Sequence, residues 1–110
     1  MGAVLNQTQE MIIGVLSELA KAQPLGDLRL ETLFDTQNNR FQVMVLGWLD
    51  GKPFHDCLAY VTIRNDQIWL EIDNTDFGLT DALIRAGIPE TALMFGLPMP
   101  QSQLLVARAA

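Results

Sequence analysis

The stretch Arg40-Phe41-Gln42-Val43-Met44-Val45-Leu46-Gly47-Trp48-Leu49-Asp50-Gly51-Lys52-Pro53-Phe54-His55-Asp56-Cys57-Leu58-Ala59-Tyr60-Val61-Thr62-Ile63 decides the fold. Asp50-Gly51 is a two-residue hairpin signal, because both central residues of such a turn need positive φ. Apolar residues, many β-branched or aromatic, fill the runs on either side, as strands require. Working outward, Asn65-Asp66 reads as a second turn, and Thr36 to Asn39 form a polar loop for an earlier hairpin. The strands then fall near 28–35, 40–48, 54–63 and 67–73. Successive hairpins imply an antiparallel meander whose spatial order follows chain order.

The turns fix the pairing, and the pairing sorts the side chains by alternation. Val43 is expected opposite Leu58, Met44 opposite Cys57, Ile63 opposite Ile68 and Val61 opposite Leu70. One face then carries Leu28, Leu30, Phe34, Phe41, Val43, Val45, Leu58, Tyr60 and Trp69. The other carries Leu33, Met44, Leu46, Trp48, Cys57, Ala59, Val61, Ile63, Ile68, Leu70 and Ile72. Both faces read as apolar. Burying one more Leu or Ile is worth about 1.5–3 kcal/mol, so a wholly wet face is costly. Either the helices divide between the two faces, or one face meets another polypeptide. Leu33, Met44, Leu46 and Trp48 are the candidate interaction residues. Trp69 is assigned to the core on the opposite face.

Helices flank the meander. Met11, Val15, Leu16, Leu19 and Ala22 form one stripe of a helix over 6–22, capped by Thr8 or Asn6 and stopped by Pro24 and Gly26. Gly14 inside it suggests close packing. A second helix is expected from Asp76 to Ala86, capped by Thr75 or Asn74, with Gly87 as its left-handed stop and Ile88 against Leu83. Pro89 can open a short third helix over 90–95. Pro98 and Pro100 make an extended stretch, and 104–108 adds a strand or packs as coil. The fold class is α+β: an N-terminal helix, a four-stranded antiparallel meander, then one or two C-terminal helices, in a single domain over 1–110.

Composition narrows the function classes. The 110 residues carry a net charge of −6, with seven Lys and Arg scattered along the chain. A phosphate backbone demands clustered basic residues, so direct nucleic-acid binding is disfavoured. Cys57, the one cysteine, cannot form an internal disulfide, which fits a reducing cytoplasm. Charged residues interrupt the first helix, so it does not read as membrane-spanning, and a secretory leader is not evident at the N-terminus. Met1-Gly2 begins like a myristoylation signal, but Asn6 stands where Ser or Thr belongs.

The residues that carry chemistry elsewhere form no reactive set here. His55 and Cys57 share one face of a strand while Asp56 points to the other, so no base is oriented on a nucleophile. Asp73-Asn74-Thr75-Asp76 opens like a calcium loop, but Phe77 and Ile84 stand where ligands are needed, and helix capping explains the segment better. One Cys and one His cannot build a four-ligand zinc site. Asp35 and Asp73 could meet at a sheet end around a hard cation, the basis of an alternative reading as a small carboxylate- or metal-dependent enzyme. Asp35 could equally pair with Arg40 across its hairpin. Arg85 and Arg108 read as solvated charge rather than anchors. No catalytic residue, cofactor or metal ligand is assigned.

Read in order, Phe34-Asp35, Arg40-Phe41-Gln42, Gly47-Trp48, Ile68-Trp69, Asp73, Thr75 and Asp76, and Gly87-Ile88-Pro89 form a distinctive series. The series resembles the XisI-like family, the excision-controlling factors of the cyanobacterial fdxN element, over roughly residues 5 to 100. The chain departs from that pattern at its end. Phe95-Gly96 leads into Leu97-Pro98-Met99-Pro100-Gln101, without the family's His and following Arg. The resemblance implies an accessory role in regulated excision of a DNA element, with a recombinase doing the strand chemistry and a nuclease-like companion, XisH, acting alongside. Together with the doubly apolar sheet and the lone cysteine, this makes a non-enzymatic, cytoplasmic, homo-oligomeric protein working by protein contact the expectation.

Overall fold

A computed structural model describes residues 5–97. The element order is α1 (Gln7–Leu19), β1 (Asp27–Asp35), β2 (Arg40–Leu49), β3 (Lys52–Arg64), β4 (Gln67–Asp73), α2 (Thr80–Arg85), a 3₁₀ turn (Glu90–Ala92) and β5 (Leu93–Phe95). The expected extended stretch at Pro98 and Pro100, and the expected strand or coil over 104–108, lie outside the described residues. The class is α+β, as the sequence implies.

The hairpins form because their turns are local chemistry. Asp50 and Gly51 take φ of 52° and 76°, and Asn65 and Asp66 take 52° and 63°, the double left-handed pair that tight hairpins need. Strand order follows chain order, β1-β2-β3-β4-β5. Among the described residues the sheet has five strands, not four: Leu93–Phe95, expected as helix, runs parallel to β4 with Leu93 beside Ile68. The chain crosses over α2 to reach that edge, as a parallel pair requires.

Two irregularities overturn the expected sorting of side chains. Met44 does face Cys57, but Val43 faces Ala59, leaving Leu58 as an extra residue in β3. Ile63 faces Ile68 and Val61 faces Leu70 as expected, but Tyr60 then faces Ile72, leaving Glu71 extra in β4. Each bulge moves the residues beyond it to the opposite face. Ala59, Val61, Ile63, Ile68 and Leu70 therefore join Phe41 and Val43, while Tyr60 and Trp69 join Met44, Leu46 and Trp48. Trp48 and Trp69 share a face rather than opposing one another.

This exchange concentrates the aliphatic side chains on one side. Phe41, Val43, Ala59, Val61, Ile68 and Leu70 form a single buried cluster with Ile12 and Leu16 of α1 and with Leu79, Leu83, Ile88 and Leu93. Phe34 packs its ring 6.1 Å from that of Phe41. The helices do not divide between the faces. Among the described residues, α1 and α2 both cover the same side.

The helix ends explain how this layer is fixed. Asn6 Oδ1 accepts from Gln9 N–H at 2.8 Å while Gln9 Oε1 accepts from Asn6 N–H at 3.1 Å, a reciprocal cap. The second helix is much shorter than expected, and neither Thr75 nor Asn74 caps it. Asp73 Oδ2 instead accepts from Leu79 N–H at 2.7 Å, its Oδ1 accepts from Thr75, and Asp76 stays in the loop. At the other end Ile88 N–H donates to Leu83 C=O and Gly87 N–H to Ile84 C=O. That is the double bond of a left-handed helix stop. Gly14 is not closely packed: a Cβ placed there would meet nothing within 4 Å.

Candidate interaction surface

The candidate residues Leu33, Met44, Leu46 and Trp48 all lie on the face that α1 and α2 leave uncovered. β1 and β2 place them there through an unbroken register in which Leu33 sits opposite Gln42, Glu31 opposite Met44, Arg29 opposite Leu46 and Asp27 opposite Trp48. Leu33 is 62% exposed and Trp48 57% exposed, while Met44 and Leu46 are half-buried. Tyr60, Trp69 and Ile72 extend the same face on β3 and β4, each half-buried. The reading by simple alternation misses Tyr60 and Trp69, because no local signal marks the two bulges.

Polar groups punctuate this surface. Arg40 Nη1 donates to the Tyr60 hydroxyl at 3.1 Å. Glu71, placed on this face two residues after Trp69, accepts from the Thr62 hydroxyl and takes Arg64 Nη2 at 3.2 Å. Its carboxylate is almost fully buried, and pairing to Arg64 offsets the cost of desolvating it. The surface therefore combines large apolar side chains with satisfied charge.

Trp48 owes its position to Gly47. The φ of Gly47 is +141°, and a Cβ there would stand 2.2 Å from the Asp27 carbonyl oxygen. Only glycine lets the end of β2 approach β1 so closely. The Gly47-Trp48 pair of the sequence series thus has a backbone cause.

The structure does not bring Asp35 and Asp73 together. Asp35 ends edge strand β1 and Asp73 ends β4, three strand spacings away, or about 14 Å across the sheet. One cation cannot bridge that span. Asp35 accepts from Asn38 N–H at 3.0 Å and Asn38 Nδ2 at 2.8 Å. These contacts hold its carboxyl below the usual carboxylate value. Arg40 turns to Tyr60 rather than forming an ion pair with Asp35. Among the described residues, no three of His, Cys, Asp and Glu gather as metal ligands.

His55 is exposed beside the first turn, opposite Leu46. Cys57 stands two residues on, opposite Met44, with burial pushing its thiol above the ordinary value. Asp56 Oδ1 accepts from Cys57 N–H at 2.8 Å and does not orient His55. An open groove of about 760 Å³ lies between α1 and α2, with Val15, Leu19, Phe77 and Arg85 among its walls. Among the described residues, no helix is long and apolar enough to cross a membrane.

Comparison with curated protein sequences returns no significant match. Solved structures do match. The chain is similar to an XisI-like protein from Anabaena variabilis, with 21% identity, a TM-score of 0.70, and coverage of 89% of this chain and 90% of that one. It is also similar to the fdxN element excision controlling factor XisI from Anabaena variabilis, with 26% identity, a TM-score of 0.58, and coverage of 88% and 91%. The family described as XisI protein matches residues 1–109. The chain belongs to the XisI family.

Proposed function

We propose that this chain is a non-enzymatic controlling factor that acts by protein contact in regulated site-specific DNA excision. The observation that carries this reading is the face that neither α1 nor α2 covers, where exposed Leu33 and Trp48 flank half-buried Met44 and Leu46. Large aromatic and aliphatic side chains clustered on one surface are what interfaces use as anchors. The net charge of −6 supports a protein partner over a phosphate backbone. The partner this reading favours is the nuclease-like companion, XisH, that the family resemblance implies, met inside the cell.

Titration calorimetry with the purified companion tests it. The unaltered chain binds. Leu33→Glu and Trp48→Glu, both at exposed positions, fold normally and bind at least about tenfold more weakly, the effect of losing one interface anchor. Equal binding by the variants would refute the assignment of this face.

A further inference from the structure

β1 is an edge strand of nine residues, Asp27–Asp35. Among the described residues no strand pairs with its outer side. Natural proteins protect such edges with charged side chains, lysine above all, with proline, with a bulge or with a very short strand. Of these β1 has charge alone. Its register with β2 is unbroken from end to end, and it contains neither Pro nor Lys. It carries instead a row of alternating charge on the helix-free face: Asp27, Arg29, Glu31. The Arg29 and Glu31 side chains are 60% and 52% exposed and touch each other at 2.7 Å.

Set against its own reverse with the axis one residue off the centre of this row, the strand places Arg29 opposite Glu31. We infer that two copies of this chain join edge to edge through β1, antiparallel about a two-fold axis at Leu30, with Arg29 of each subunit facing Glu31 of the partner subunit. Opposite charges directly across a strand pair are stabilising, and like charges are destabilising. In this register Leu30 meets its own copy and Leu28 meets Thr32 of the partner subunit. Moving the axis to Arg29 sets Arg29 against itself and Asp27 against Glu31. Moving it to Glu31 sets Glu31 against itself and Asp27 against Asp35. An axis at Thr32 sets Arg29 against Asp35 but leaves Glu31 opposite Leu33, and an axis at Leu28 sets Arg29 against Asp27 but takes Glu31 beyond the strand end. Leu30 is the centre that satisfies Arg29 and Glu31 together.

The pairing satisfies the open edge of both subunits and joins two five-stranded sheets into one. Half-buried Leu30 then extends the helix-covered core across the seam. The two helix-free faces become one continuous surface. This inference does not rest on the proposed function, since the strand pairing is made by the outer backbone edge of β1 and not by the side chains of Met44, Leu46 and Trp48.

Light scattering on the full chain at rising concentration tests it. The expected mass is that of two 12.2 kDa chains. Arg29→Glu alone, and Glu31→Arg alone, each put like charges opposite one another twice, and each should raise the dissociation constant about tenfold or more. Mixing the two variants restores opposite charges at both positions, so a heterodimer as tight as the original dimer should form. Circular dichroism confirms that each variant keeps its fold. An unaltered chain that stays monomeric overturns the inference. So does a dimer indifferent to Arg29→Glu, which would place the contact elsewhere. So does Glu31→Arg dimerising unaided, which would move the axis away from Leu30.

Discussion

Gln9 Nε2 donates to Asn39 Oδ1 at 2.7 Å and to the Thr36 carbonyl at 2.8 Å, joining the first turn of α1 to the tip of the β1–β2 hairpin. Gln9 is almost fully buried, and the same side chain completes the cap at Asn6. Asn39 is held with φ of 57° and gives its carbonyl to Ile63 N–H. One amide therefore locks helix, hairpin and third strand together. Removing it leaves a buried acceptor unpaired, at about 1–3 kcal/mol. Gln9→Ala is expected to lose that much in urea unfolding. Gln9→Glu should lose as much, because a carboxylate cannot donate to the Thr36 carbonyl.

The two glycines Gly47 and Gly14 should respond in opposite directions. Gly47→Ala forces a methyl against the Asp27 carbonyl at a φ that alanine avoids. A loss of about 3 kcal/mol or more is expected. Gly14→Ala meets open space inside a helix and should gain about 0.5–1 kcal/mol. Thermal unfolding of both variants beside the unaltered chain checks the pair.

Asp73 organises the descent from β4 into α2 through Thr75 and Leu79 N–H. Asp73→Ala strips all of these contacts and should cost about 2 kcal/mol. Asp73→Asn keeps an acceptor but not the charge, and should fall between. Hydrogen exchange at Leu79 and Leu83 amides, read by NMR, should accelerate in the same order.

The fold raises the Cys57 thiol above its ordinary 9.0 through burial, with Asp56 adding a smaller upward push. A raised value means that the contribution of the neutral thiol is intact below pH 9 and is lost as the pH rises through the folded value. Stability measured between pH 8 and 11 should fall more steeply for the unaltered chain than for Cys57→Ala. At neutral pH the folded thiol should alkylate more slowly than the urea-unfolded one.

The parts of this fold that were legible in the sequence are those set by neighbours in the chain. Asp50-Gly51 and Asn65-Asp66 announce their turns because only a few residue types tolerate positive φ. Gly87 and Ile88 likewise announce the end of α2. The bulges at Leu58 and Glu71 have no such mark. Which strand carries the extra residue depends on how three strands settle together, so alternation alone places Trp69 and Tyr60 on the wrong face. β5 is hidden for a similar reason. Three residues show no period, and the parallel partner Ile68 lies a whole helix away in sequence. Leu33, Met44, Leu46 and Trp48 share a face by simple alternation because β1 and β2 pair without a bulge. Gln9 stays hidden because a glutamine in the first turn of a helix looks solvent-facing until the hairpin tip arrives above it.

The most direct measurement is side-chain footprinting of the unaltered chain with hydroxyl radicals, alone and with the proposed nuclease-like companion at saturating concentration. Trp48 and Met44 should become strongly protected in the complex, while Phe77, which is exposed beside the helices, should react as before. Protection of Phe77 with Trp48 and Met44 unchanged would contradict the account.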